Sequence, residues 1–147
     1  MRACVPALTT RPPVAADATH VAIAHDGDIV EARRKGRELA QRIGFSGSDL
    51  TIITTAISEI ARNIVVYADR GEISLSEADN GGRRGIVVVA RDEGPGIADI
   101  ERAMRDGNST GNSLGLGLPG ARRLMDDFEI ISTVGAGTTV TMRKWKR

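Results

Sequence analysis

Apolar residues along this chain change their period several times, and each change predicts an element. His20 to Ala24 is a short apolar stretch that reads as an edge strand. From Asp28 onward, Ile29, Ala32, Gly36, Leu39, Ala40 and Ile43 recur at helical spacing. Asp28 is placed to cap that helix and Gly44 to end it in a left-handed turn. Its opposite face holds Arg33, Arg34, Lys35, Arg37 and Arg42, a charge run that reads as a solvated surface or a partner-binding one. A second helix is predicted from Ser48, a good N-cap, to Tyr67. Leu50, Ile53, Ile57, Ile60, Ala61 and Ile64 form its core stripe, with Ile52, Ala56, Glu59 and Asn63 beside it. Glu59 and Asn63 are four apart, so one stands a turn above the other at the border of the apolar face. A carboxylate and an amide are out of place there unless both have a job.

Glu72 to Ala78 alternates as a half-buried strand, Asp79-Asn80-Gly81-Gly82 is a turn, and Gly85 to Arg91 is a nearly continuous apolar strand. Asp92 to Leu118 has little regular pattern. Pro119 to Phe128 reads as a helix with Pro119 near its first position. Ile130 to Val134 and Thr138 to Trp145 read as strands joined by Gly135-Ala136-Gly137. The order predicts a two-layer α+β sandwich, with helices on one face of a mixed, mostly antiparallel sheet.

Composition narrows the class. A chain of 147 residues with 41% hydrophobic and 27% charged residues is the size and make-up of one globular domain. Residues 1–18, with Pro6, Pro12 and Pro13 and no long apolar stretch, read as a disordered tail, and residues 19–147 as the domain. A net charge of +1 offers nucleic acid no general attraction. The lone Cys4 rules out an internal disulfide, and the longest apolar run, Ile86 to Ala90, is far too short for a bilayer. A cytoplasmic protein is expected.

Four constellations carry candidate chemistry. Asp92-Glu93-Gly94-Pro95-Gly96 follows a buried strand: Asp92 can accept from an exocyclic amine, and Gly94 and Gly96 leave room for a flat ring, although a plain surface turn has the same sequence. Gly111-Asn112-Ser113-Leu114-Gly115-Leu116-Gly117-Leu118-Pro119-Gly120 leads into a helix, where free N–H groups suit phosphate; a flexible loop is the plainer reading. In the third, Asn63 is a suitable Mg²⁺ ligand when phosphates and waters complete the shell, and Glu59 could take a proton from a hydroxyl. In the fourth, Gly135-Ala136-Gly137-Thr138-Thr139, Thr138 shares strand parity with Val140 and Met142. Its hydroxyl should point inward and needs a partner, whether a ligand amine, a bridging water or a backbone carbonyl.

In this order and spacing the four blocks resemble the N box, the two glycine boxes and the terminal G-x-G-T of the GHKL ATPase superfamily, over about Gly36 to Trp145. The resemblance implies the Bergerat fold and ATP–Mg²⁺ as ligand. It implies Glu59 as catalytic base, Asn63 as Mg²⁺ ligand, Asp92 as adenine reader and Thr138 as an adenine-site hydroxyl. Gly94, Gly96, Ile97, Gly115, Leu116, Gly117 and Leu118 complete the implied nucleotide-binding set. Within the superfamily, Glu59-Ile60-Ala61-Arg62-Asn63-Ile64, Asp92 to Ile97, Gly115 to Gly120, Arg123 to Phe128 and the closing Lys144-Trp145 are similar to the RsbT-type switch kinases of the stressosome. Such kinases phosphorylate Ser/Thr on STAS-domain scaffold or antagonist proteins and then activate a PP2C-type phosphatase. An anti-sigma factor that sequesters a sigma subunit would carry the same ATP-site residues. Arg62, about 100° round the helix from Asn63, is open between a phosphate contact and a partner-facing or structural role.

Overall fold

The computed structural model describes residues 17–105 and 117–147. Five strands and four helices follow in the order β1 (Thr19–Ile23), α1 (Asp26–Ile43), α2 (Ser48–Tyr67), β2 (Gly71–Asn80), β3 (Arg83–Asp92), α3 (Ile100–Ala103), α4 (Gly117–Leu124), β4 (Asp127–Thr133) and β5 (Gly137–Trp145). The sheet order is β1-β2-β3-β5-β4 and each of the four pairings is antiparallel. The expected α+β sandwich is therefore present, and its mostly antiparallel sheet is antiparallel throughout the described residues. The inward residues of the strands (Val21, Ile23, Ile73, Leu75, Ile86, Val88, Ala90, Ile130, Val140 and Met142) are buried against the helices. The expected core stripe of α2, Leu50 to Ile64, is buried in full.

Glycine decides two of the close approaches. A Cβ on Gly36 of α1 would stand 2.3 Å from Cδ1 of Ile57, so the helix pair needs hydrogen at that position. On Gly85 of β3 a Cβ would stand 2.4 Å from the Trp145 ring, which lies over that glycine in the neighbouring strand. The indole is further held by an Nε1–H donated to Asp127 Oδ2 at 3.0 Å, with the Arg83 guanidinium 5.9 Å from the ring.

Several boundaries differ from the sequence reading, each for a local reason. Asp28 is not the N-cap of α1. The helix begins at Asp26 after His25, and Asp28 reaches back from the first turn to accept the N–H groups of Ala24 (2.8 Å) and His25 (3.0 Å). Two backbone bonds outweigh the single one that an Asp28 cap would make. Ser48 is the first residue of α2, behind Gly47 at φ 59°, and does not cap it. Gly44 does end α1 in the left-handed region, at φ 116°. The helix expected from Pro119 to Phe128 instead runs from Gly117 to Leu124, and Asp127 and Phe128 belong to β4. Asp126 makes that break: its N–H bonds the Arg143 carbonyl at 2.9 Å, and its carboxylate accepts the Trp145 N–H at 2.8 Å. Both bonds tie the chain to β5. A turn of helix, α3, lies in the stretch expected to be irregular, capped by Asp99 accepting from Arg102 N at 3.0 Å.

α2 is long and apolar enough to cross a membrane by length and composition. Its apolar stripe is instead the centre of the core, packed between α1, α4 and the sheet.

Candidate nucleotide site

A cavity of about 440 Å³ opens between α2, the segment after β3, and the start of α4. α2 supplies Glu59, Arg62, Asn63, Val66 and Tyr67; the end of β3 supplies Asp92, and the segment after it Pro95, Gly96 and Ile97. Arg102 and Ala103 of α3, then Gly117, Leu118 and Pro119 of α4, close the sides, and Thr138 of β5 contributes from the sheet. The expected residues Glu59, Asn63, Asp92, Gly96, Ile97, Gly117, Leu118 and Thr138 thus converge on one cavity from four separate parts of the chain. Gly115 and Leu116 lie outside the described residues.

Asp92 and Thr138 meet because β3 and β5 pair with these two residues directly opposite each other. Asp92 Oδ1 accepts the Gly94 N–H at 2.9 Å, which fixes the carboxylate at the strand end. Thr138 is buried, as its strand parity predicted, and its hydroxyl lies 2.8 Å from Ser132 Oγ. Ser132 is the residue that sequence reasoning missed. Its Oγ also accepts the Ile97 N–H at 2.7 Å and lies 3.3 Å from the Gly137 carbonyl. One hydroxyl therefore joins β4, β5 and the segment after β3. Its only sequence signal was the parity that places it opposite Thr138.

The glycines act differently from the room for a flat ring expected of them. Gly94 does not line the cavity: a Cβ there would stand 2.6 Å from Ala68 Cβ and 3.2 Å from Asp92 Oδ1. Gly96, at φ 79°, does line it, but its Cβ would fall 2.3 Å from the Thr133 carbonyl oxygen. Gly137, at φ 124°, would meet the Asp92 carbonyl oxygen at 2.1 Å. All three let backbone pass against protein, so that Asp92 and Thr138 share one wall.

Glu59 is buried, only 4% exposed, on the cavity side of α2. Its Oε1 accepts the Gly117 N–H at 3.0 Å, across the join between α2 and α4. Gly117 stands at φ 52°, which directs that amide away from the regular helix direction. Arg62 lies three residues after Glu59, and its Nε is buried without a hydrogen-bond partner. Among the described residues no cluster of three His, Cys, Asp or Glu could hold a metal ion. A cation here would need oxygens from a ligand, with an amide such as Asn63 as protein donor, and the cavity fits that arrangement.

Comparison with known proteins agrees with this geometry. Residues 23–144 match the model of the histidine kinase-like ATPase domain. The chain is 47% identical over 131 residues to serine/threonine-protein kinase RsbT of Bacillus subtilis (strain 168), covering 89% of this chain and 98% of that protein. It is also 34% identical over 103 residues to anti-sigma F factor of Thermoanaerobacter sp. (strain X514), covering 66% of this chain and 71% of that one. Anti-sigma F factor of Geobacillus stearothermophilus is similarly 34% identical over 103 residues, covering 65% of this chain and 69% of its own length. Family membership implies that the chain uses ATP. The chain belongs to the histidine kinase-like ATPase family and, within it, to the serine/threonine-protein kinases of the RsbT kind.

Proposed function

We propose that this chain transfers the terminal phosphoryl group of ATP to a serine or threonine of a STAS-domain scaffold or antagonist protein. It then takes a PP2C-type phosphatase as its next partner, acting in the cytoplasm as a partner switch. The observation that carries the reading is that Glu59 and Asn63, one turn apart on α2, line the same cavity as the Asp92–Thr138 pair of the sheet.

That spacing separates two tasks. Asp92, an acceptor fixed by the Gly94 amide, takes the adenine amine, with the Thr138 hydroxyl beside it. Asn63 would hold Mg²⁺ through its amide oxygen, and Mg²⁺ bound with ATP supplies charge neutralisation at the phosphates. Glu59 accepts the proton of the attacking hydroxyl. It is the group whose burial and single amide bond leave a carboxylate facing the cavity. Gly96, Ile97, Gly117 and Leu118 enclose the nucleotide.

The test is labelled transfer from ATP and Mg²⁺ to a purified STAS-domain protein, with its Ser/Thr-to-Ala version as control. The acceptor should take up label and its alanine version should bind without label. The Glu59→Ala variant should bind ATP while transferring about 10²–10⁴-fold more slowly. Tight binding of a sigma subunit with no labelled acceptor would instead favour sequestration, in line with the relatives named anti-sigma F factor.

A further inference from the structure

Arg62 is a charged residue of α2 that lines the cavity and has no task in the proposed chemistry. Viewed down α2 from Glu59, Asn63 stands about 40° to one side and Arg62 about 60° to the other, at 100° per residue. Glu59 therefore lies between them, and the 100° separating Arg62 from Asn63 spans the wall of the cavity instead of turning Arg62 away from it. All three side chains line that wall.

Among the described residues no hydrogen bond or ion pair engages the Arg62 side chain, and its Nε is buried. A charged donor withdrawn from water without an acceptor is costly, and such a group beside a cavity marks where an anion belongs. A guanidinium presents a fork of N–H donors that matches two oxygens of one phosphate. Asp92 and Thr138 fix the base at the sheet, so the phosphate chain runs toward α2 and ends beside Glu59.

We infer that Arg62 binds the terminal phosphoryl group of the nucleotide and stabilises its charge during transfer. The inference rests on the kinase reading above. In the step, the acceptor hydroxyl oxygen bonds to the γ-phosphorus as the bond from that phosphorus to the β–γ bridging oxygen breaks. ADP leaves with that electron pair and the hydroxyl proton passes to Glu59. Arg62 exchanges no proton; it donates N–H groups to the oxygens of the group in flight. The third anionic oxygen charge is thereby met from α2 itself, by a residue next in sequence to the Mg²⁺ ligand.

The test compares two nucleotides within each variant, so that a general loss of folding cancels. Wild type, Arg62→Ala and Arg62→Lys are titrated with a non-hydrolysable ATP analogue and with ADP, both with Mg²⁺, and their thermal unfolding is recorded. For Arg62→Ala, affinity for the ATP analogue should fall about 10- to 100-fold, as for a lost charged hydrogen bond. Its ADP affinity should change less than about threefold. Labelled transfer should fall about 10³-fold, the lower range for an arginine at a transferring phosphoryl group. Arg62→Lys, which keeps the charge and loses the fork, should recover part of the ATP affinity. Equal losses for the two nucleotides, or an unchanged ATP-to-ADP ratio, would overturn the inference while leaving ATP binding intact. Wild type that binds neither nucleotide would instead sink the ATP reading on which it rests.

Discussion

Ser132→Ala removes a single oxygen and tests the architecture of the Asp92–Thr138 end of the cavity. The hydroxyl accepts the Ile97 N–H at 2.7 Å and meets the Thr138 hydroxyl at 2.8 Å, with the Gly137 carbonyl at 3.3 Å. Its one proton can serve either Thr138 or Gly137, so when Gly137 takes it the Thr138 hydroxyl must donate to Ser132. The alanine variant leaves the Ile97 amide without its acceptor and frees Thr138 to rotate. An unsatisfied buried donor costs about 1–3 kcal/mol, and half-burial of both Ile97 and Ser132 puts this one near 1–2 kcal/mol. For a chain of this length that is about 3–8 °C in Tm. Affinity for ATP should fall by up to about five- to thirtyfold if the whole of that cost falls on the bound state, because each 1.4 kcal/mol is a factor of ten. Differential scanning calorimetry and titration with a fluorescent ATP analogue would measure both. Thr139→Ala is the control: it sits next along β5 with its side chain on the other sheet face, and should stay within about 0.5 kcal/mol of wild type. If Ser132→Ala melts and binds ATP as Thr139→Ala does, the hydroxyl junction does not hold the site and the argument is wrong.

Other outcomes follow from single contacts. Asp92→Asn should weaken ATP binding by about 1–3 kcal/mol, since the amide can turn a donor toward the adenine amine; unchanged affinity in the same titration would remove Asp92 from the site. Gly85→Ala should lower stability by about 1–3 kcal/mol in urea unfolding, because its Cβ meets the Trp145 ring and the indole must leave its Asp127 bond. Gly85→Ala combined with Trp145→Ala should cost less than the sum of the two. The N–H groups of Ala24 and His25 hold the Asp28 carboxyl below its ordinary value of 3.8. Its contribution to stability is therefore complete above that pH and is lost as acid takes the pH through the lowered folded value. Asp28→Asn should be less stable than wild type at neutral pH, with the gap narrowing on titration from about pH 5 to pH 2.

The helices and the order of strands were legible because burial imposes period. Ile29 to Ile43 and Leu50 to Ile64 each mark one helix face, and Thr138 could be turned inward by counting from Val140. What was illegible depended on groups brought together from a distance. Asp28 looked like an N-cap because caps are read from the residue itself, whereas its partners are amides that precede the helix. Gly94 and Gly96 looked like space for a ligand; the bodies they avoid, Ala68 and the Thr133 carbonyl, lie 26 and 37 residues away by subtraction of their numbers. Ser132 had no motif, and its importance exists only once β4, β5 and Ile97 meet. Arg62 could not be placed from its angle to Asn63 alone, since the position of the cavity wall decides which arc of α2 counts.

The direct pairing of Asp92 with Thr138 has a consequence for how the protein is made. β5 lies between β3 and β4 in the sheet but is the last of the five strands to leave the ribosome. Until it arrives, β3 and β4 have no shared neighbour, the hydroxyl that faces Asp92 has not been synthesised, and Asp126 has no strand to fasten. The other described residues that line the cavity have been synthesised by then. A nascent chain would thus carry Glu59, Asn63 and Asp92 while still lacking the threonine that pairs opposite Asp92. The cavity gains its β5 residue Thr138 only when β5 pairs between β3 and β4.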